Sequence, residues 1–170
     1  YIYATKPTVS LNAASPTTGV PGSSKEVFRF DVYNPSTVFD LYINAIRFSI
    51  SVSSTSTAGN TLIWDKSFNL YKSNDLTTSL GLGTSYANAT STGTTGWVTI
   101  YPYTTMAVGV GSTATYSLYG NTSSMNLGGT TAETLGISIE TDDFYWDDAY
   151  AVNANKKVLN LPVSGNTLQY

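Results

Sequence analysis

The chain has 170 residues, with 8 Lys and Arg against 11 Asp and Glu, a formal net charge of -3, and neither His nor Cys. Those absences exclude disulfides, Cys- or His-ligated zinc, haem and iron–sulfur centres, and Ser–His–Asp or Cys–His nucleophilic catalysis. The acidic balance argues against nucleic-acid binding, and charged residues at 11% leave the polar surface to 26 Thr and 21 Ser.

Residues 1–13 read as an extended arm. Tyr1, Ile2, Tyr3, Val9 and Leu11 are apolar among β-branched Thr, and Pro7 interrupts any ladder. The start at Tyr1 without Met reads as a processed or excised product. Residues 14–24, with Pro16, Gly19, Pro21 and Gly22, read as a hinge. Such an arm has two homes: its own sheet, or the open edge of a neighbour by β-strand addition. The second home makes Tyr1, Ile2, Tyr3, Val9 and Leu11 subunit–subunit contacts, and a head-to-tail arm builds an open filament when the rotation does not close.

Residues 25–170 read as one domain of short strands. Phe28, Phe30 and Val32 share one face while Arg29 and Asp31 share the other, a period of two. Leu41 and Ile43 place apolar residues on odd positions, but Ile46, Phe48, Ile50 and Val52 place them on even ones. A face switch near Asn44-Ala45 predicts a β-bulge or a strand passing between sheets. Further strands are predicted at 62–71, 97–101, 106–108, 114–119, 135–140, 158–161 and 167–170. Turn residues separate them, among them Asn34-Pro35-Ser36, Gly109 to Ser112 and Ser164-Gly165-Asn166. The small, Thr-rich stretch 81–96 reads as an edge strand or a long exposed loop. This pattern predicts an all-β, antiparallel sandwich, jelly-roll-like or Ig-like, with an extended N-terminal arm. No apolar run is long enough for a membrane helix.

The densest acidic stretch, Glu140 to Asp148, holds five of the 11 acidic residues. It reads as a solvated turn. Alternatively, Asp142, Asp143, Asp147 and Asp148 supply oxygens to a structural calcium ion, although the EF-hand spacing is absent. Two carboxylates beside Tyr145 and Trp146 have the components of a glycosidase site, but no spacing rule fixes their separation. Trp64, Trp97 and Trp146 are either packing residues or a carbohydrate-stacking surface. Asn88 and Asn121 match the N-glycosylation acceptor pattern, whereas Asn34 is excluded by Pro35. The hydroxyl runs 53–57 and 90–95 are candidates for O-linked sugars.

Four stretches carry a family resemblance: Lys6 to Leu11, Glu26 to Val32, Ile43 to Phe48, and Asn160 to Leu168. Their order and wording resemble β-sandwich domains of large secreted surface proteins of candidate-phylum bacteria. The assembly logic of the arm is similar to that of donor-strand β-sandwich pilins. The resemblance implies an extracellular, structural or adhesive role and no catalytic residues. The expectation is therefore a non-enzymatic cell-surface subunit that polymerises with itself. The alternatives are an adhesin or carbohydrate-binding module recognising surface glycans, or one domain of a surface-layer protein.

Overall fold

The computed structural model describes residues 6–53, 68–90, 93–125, 132–148, 158 and 160–170, with backbone alone at 84–90, 93 and 94. These residues form twelve strands: β1 (Thr8–Leu11), β2 (Lys25–Tyr33), β3 (Leu41–Ser53), β4 (Asn69–Lys72), β5 (Gly81–Thr90), β6 (Gly93–Ile100), β7 (Met106–Val108), β8 (Thr113–Gly120), β9 (Thr134–Ile139), β10 (Phe144–Asp147), β11 (Val163–Ser164) and β12 (Leu168–Gln169). No helix occurs among the described residues. Neighbours pair in the order β1-β2-β8-β4-β5-β6-β3-β9-β11, while β7 and β10 pair with β3 and β12 pairs with β9. Every pairing is antiparallel. The two ends of the path, β1 and β11, come into contact, so the sheet nearly closes into a barrel.

Alternation in the sequence becomes inside and outside. Phe28, Phe30 and Val32 of β2 and Phe48, Ile50 and Val52 of β3 are all buried. The β2 and β3 strands stand far apart along the sheet, yet their rings meet across the interior. Phe28 and Phe30 lie 6.0 and 5.8 Å from Phe48, edge to face, an arrangement aromatic rings favour. The expected face switch in β3 is present. Ala45 and Ile46 are consecutive and both buried, and the facing β10 shifts register there. Tyr145 stands opposite Ala45 but Trp146 stands opposite Ile43, which leaves Asn44 over as the extra residue of a bulge. A second register shift in β2 passes over Val27, so that Val27 and Phe28 both face the core.

Two expectations are corrected and one is sharpened. Stretch 81–96 is β5 and the start of β6: Gly81 and Leu82 pair with β4, while 84–90 pair with β6 alone among the described residues, as an edge strand does. The glycine at 83 has a steric cause. A Cβ on Gly83 would collide with the Val98 side chain and lie 3.2 Å from Ile100 Cδ1. Neighbouring strands already fill that interior space, so the inward residue carries no side chain. The acidic stretch is a strand over its second half, since Phe144 and Trp146 are buried while Tyr145 and Asp147 are only partly covered. The expected strand at 158–161 is replaced at Asn160 by a turn with φ 66°, and pairing resumes at Val163. The first part of the expected strand 62–71 falls at 62–67, outside the described residues; Asn69–Lys72 forms β4.

The arm takes the first of its two homes in this chain. Val9 stands opposite Val32 in β2 and is entirely buried, whereas Leu11 is 36% exposed. The stretch expected to be a hinge is tied down. Ser15 Oγ accepts from Arg29 N (3.1 Å) and Pro16 O accepts from Asn166 Nδ2 (2.9 Å). Gly19 N donates to Gln169 O (3.0 Å), and Thr122 N donates to Gly22 O (2.8 Å).

Asn34 closes the opposite end of β2. It is fully buried; its amide donates to Phe39 O (2.9 Å) and Val108 O (3.0 Å), and Oδ1 accepts from Ser36 N (3.0 Å). Asn34→Ala strands two carbonyls and one N–H, and is expected to cost about 2 kcal/mol. A fall in the urea midpoint at constant slope checks it.

Candidate functional site

The outer face of β10, β3 and β6 carries a row of three unlike groups. Alternation in β6 sends Val98 and Ile100 inward, and both are fully buried. It therefore sends Trp97 and Thr99 outward, and Trp97 remains 42% exposed. On β3 the bulge at Asn44 resets the alternation so that Arg47, Ser49 and Ser51 face out beside them. Arg47 stands opposite Thr99, and Ser49 opposite Trp97. Just before β10, Asp143 N donates to Glu140 O (3.1 Å), and Asp143 O accepts from Arg47 N (2.8 Å).

Arg47 is the centre of the row. Its Nε donates to Asp143 Oδ1 (2.7 Å), and a terminal nitrogen lies 2.5 Å from the same oxygen. The hydrogen bond to Asp143 raises the Arg47 pKa above its ordinary value, against desolvation. The guanidinium carbon lies 5.6 Å from the Trp97 ring centroid, within cation–π range. The Asp143 side chain is only 5% exposed, but that of Arg47 is 40% exposed. The carboxylate therefore anchors the guanidinium from beneath while one side stays open to water. Beyond the end of β6, Tyr101 and Tyr103 are 60% and 66% exposed. The loop carrying Tyr103 borders a shallow cleft of about 320 Å³ with Ile43, Asn44 and Pro102.

A second concavity, about 500 Å³, lies on the outer face of β2, β8 and β4, among Asn12, Arg29, Lys72 and Thr115. Its polar groups are largely satisfied by one another. Arg29 pairs with Glu26 through two 2.6 Å contacts. Asp31 accepts from Asn12 Nδ2 on both oxygens (2.9 Å each) and from Thr115 Oγ1 (2.6 Å).

The candidate residues fall as follows. Tyr1, Ile2, Tyr3 and Trp64 lie outside the described residues. Asp142, Asp143, Asp147 and Asp148 do not converge. Asp142 is exposed, Asp143 is committed to Arg47, Asp147 is half-buried at the end of β10, and Asp148 is buried. Among the described residues no group of three or more carboxylates is placed to hold a metal. Asn88 sits within β5 opposite Thr95. Asn121 follows β8, and its Oδ1 accepts from Ser123 N (3.1 Å). The two described Trp residues separate in role: Trp146 is fully buried and Trp97 is exposed. Arg47 and Asp143 were missed as a pair, since 96 positions separate them. Trp97 was findable, because Val98 and Ile100 already fix which side of the strand it takes.

No family model and no curated protein matches the sequence. Among solved structures, the chain is similar to one described as "AvmM Catalyzes Macrocyclization in Alchivemycin A Biosynthesis", at 11% identity and a TM-score of 0.40 over 98% of this chain and 86% of that one. That description names a catalyst, and it corrects the expectation of a non-enzyme, which is dropped. At that TM-score the likeness brings no activity, substrate or site to this chain.

Proposed function

We propose that the chain is an extracellular structural domain whose copies join into a cell-surface filament by exchanging the N-terminal strand. The observation that carries this reading is the fit of β1. It is a four-residue strand at one end of the sheet path, bonded along β2 and plugged into the core by the fully buried Val9. A plug and slot that match within one chain match equally between two copies, because exchange of an identical element re-forms the same contacts. Head-to-tail exchange would then propagate an open chain. The surface suits repeated contact between copies. Few charges repel one another, and Tyr33 and Val38 are exposed apolar residues open to a neighbour. The finer form of the fold belongs to the same reading. A two-layer sandwich, with β1, β2, β8 and β4 facing β6, β3 and β9, accounts for the Phe28, Phe30 and Phe48 rings meeting between layers.

The natural chain has no Cys, so a single introduced pair reports the exchange. Thr8 and Tyr33 face each other across β1 and β2. T8C/Y33C, oxidised at high protein concentration, is expected to give a ladder of linked chains on a non-reducing gel. A monomer band alone, at every concentration, overturns the exchange. Deleting residues 1–13 is expected to leave no assemblies when the protein is viewed by electron microscopy.

A further inference from the structure

We propose that the outer face of β3 and β6, centred on Trp97, binds a neutral polysaccharide, independently of any assembly through β1. Three features specify that ligand class. The first is an exposed indole fixed in orientation. Trp97 is held in the β6 ladder opposite Ser49, with the Arg47 guanidinium 5.6 Å from its ring centroid. The exposed part of the ring offers apolar surface to the C–H face of a pyranose, which is the apolar side of an otherwise polar molecule. The second is the surroundings. The outward neighbours on β3 and β6 are Ser49, Ser51, Thr95 and Thr99, all uncharged hydroxyls of the kind that donate to and accept from sugar hydroxyls.

The third is charge. Arg47 is the one cation in the row, and Asp143 meets its charge at 2.5 Å. Asp143 is nearly buried, so a ligand reaches the guanidinium but not the carboxylate. The remaining N–H donors of Arg47 can therefore serve a hydroxyl or ring oxygen. On β9, Ser138 stands opposite Ser49 and donates to the exposed Glu140, so the face carries no net positive charge. An anionic sugar gains no unpaired cation here and meets a carboxylate at the edge, whereas a neutral one is not repelled. Tyr101, 60% exposed just past the end of β6, extends the surface beyond one ring. The occupant is thus a chain of several neutral residues.

Affinity electrophoresis of the full chain tests this, with native gels containing galactomannan, hydroxyethyl cellulose or, as the anionic control, polygalacturonate. The expected result is retardation by at least one neutral polymer. Trp97→Ala should weaken it at least tenfold, Trp97→Tyr should largely preserve it, and Tyr101→Ala should weaken it less. The Trp97 ring lies outside the core, so thermal melting of Trp97→Ala should stay close to that of the natural chain. Three results overturn the proposal: no retardation by either neutral polymer, retardation that Trp97→Ala leaves unchanged, or retardation by polygalacturonate alone. A change in oligomeric state of sugar-free Trp97→Ala also overturns it, because the face would then be a contact between copies. If Trp97→Ala melts early, Trp97→Tyr and Tyr101→Ala decide.

Discussion

Trp146→Ala is expected to lower stability by about 3–5 kcal/mol, whereas Trp97→Ala should cost about 1 kcal/mol or less. The two residues share a chemistry and differ only in the side of the sheet they take. Trp146 is fully buried on β10, opposite Ile43 of β3. Removing its ring empties a volume that a strand locked by ladder bonds cannot collapse to fill, so the cavity cost adds to the lost transfer free energy. Trp97 loses part of its contact with Arg47 and uncovers outer surface that water already reaches. Urea unfolding at pH 7, read as midpoints at a common slope, checks both values. Equal losses would show that β6 is seated with its other face inward, and the saccharide face would fall with that result.

The same contrast shows what the amino-acid order carries and what it withholds. Alternation is a local signal, and it placed Phe28, Phe30, Phe48, Ile50, Val98 and Ile100 inside without reference to any partner strand. The bulge at Asn44 was legible for the same reason: two alternating runs of opposite phase meet there. Strand β5 was obscure because its first inward residues, Gly81 and Gly83, carry no side chain. Their apolar surface is supplied by Val98 and Ile100 of the adjacent β6, a fact about the partner and not about the segment. Strand β10 was obscured by its charge. Five acidic residues between 140 and 148 suggested a loop, but only Asp147 lies within the strand, on its partly covered side, while Phe144 and Trp146 anchor the inward one. The ion pair at the candidate site was illegible altogether. Arg47 and Asp143 meet only because β10 folds back along the first half of β3, and no local pattern encodes that register.

Tyr116→Phe is expected to stabilise the chain by about 1 kcal/mol at pH 7 and to reduce its loss of stability in alkali. Tyr116 stands on the inward face of β8, fully buried, with its ring centroid 5.7 Å from that of Phe30. Among the described residues its hydroxyl has no hydrogen-bond partner. A buried, unpartnered hydroxyl has given up its water for nothing in return, so deleting that one atom relieves a desolvation cost while the ring packing stays. Burial also pushes the Tyr116 pKa up from 10.0 to about 12. The sign follows from proton counts. Below pH 10 the folded and unfolded chains both hold this proton, and stability does not depend on it. Between pH 10 and 12 the unfolded chain releases it first, so stability falls as pH rises, by about 2–3 kcal/mol for this one group. Burial likewise raises Tyr170 to about 12, so the natural chain should lose stability over the same interval through two groups, and Tyr116→Phe should retain only the share of Tyr170. Urea midpoints at pH 7, 9 and 11 for both chains separate the two effects. A destabilised Tyr116→Phe at pH 7 would mean that the hydroxyl is bonded in solution. In that case a polar partner sits in the middle of the aromatic cluster that Phe28, Phe30 and Phe48 build between β2 and β3.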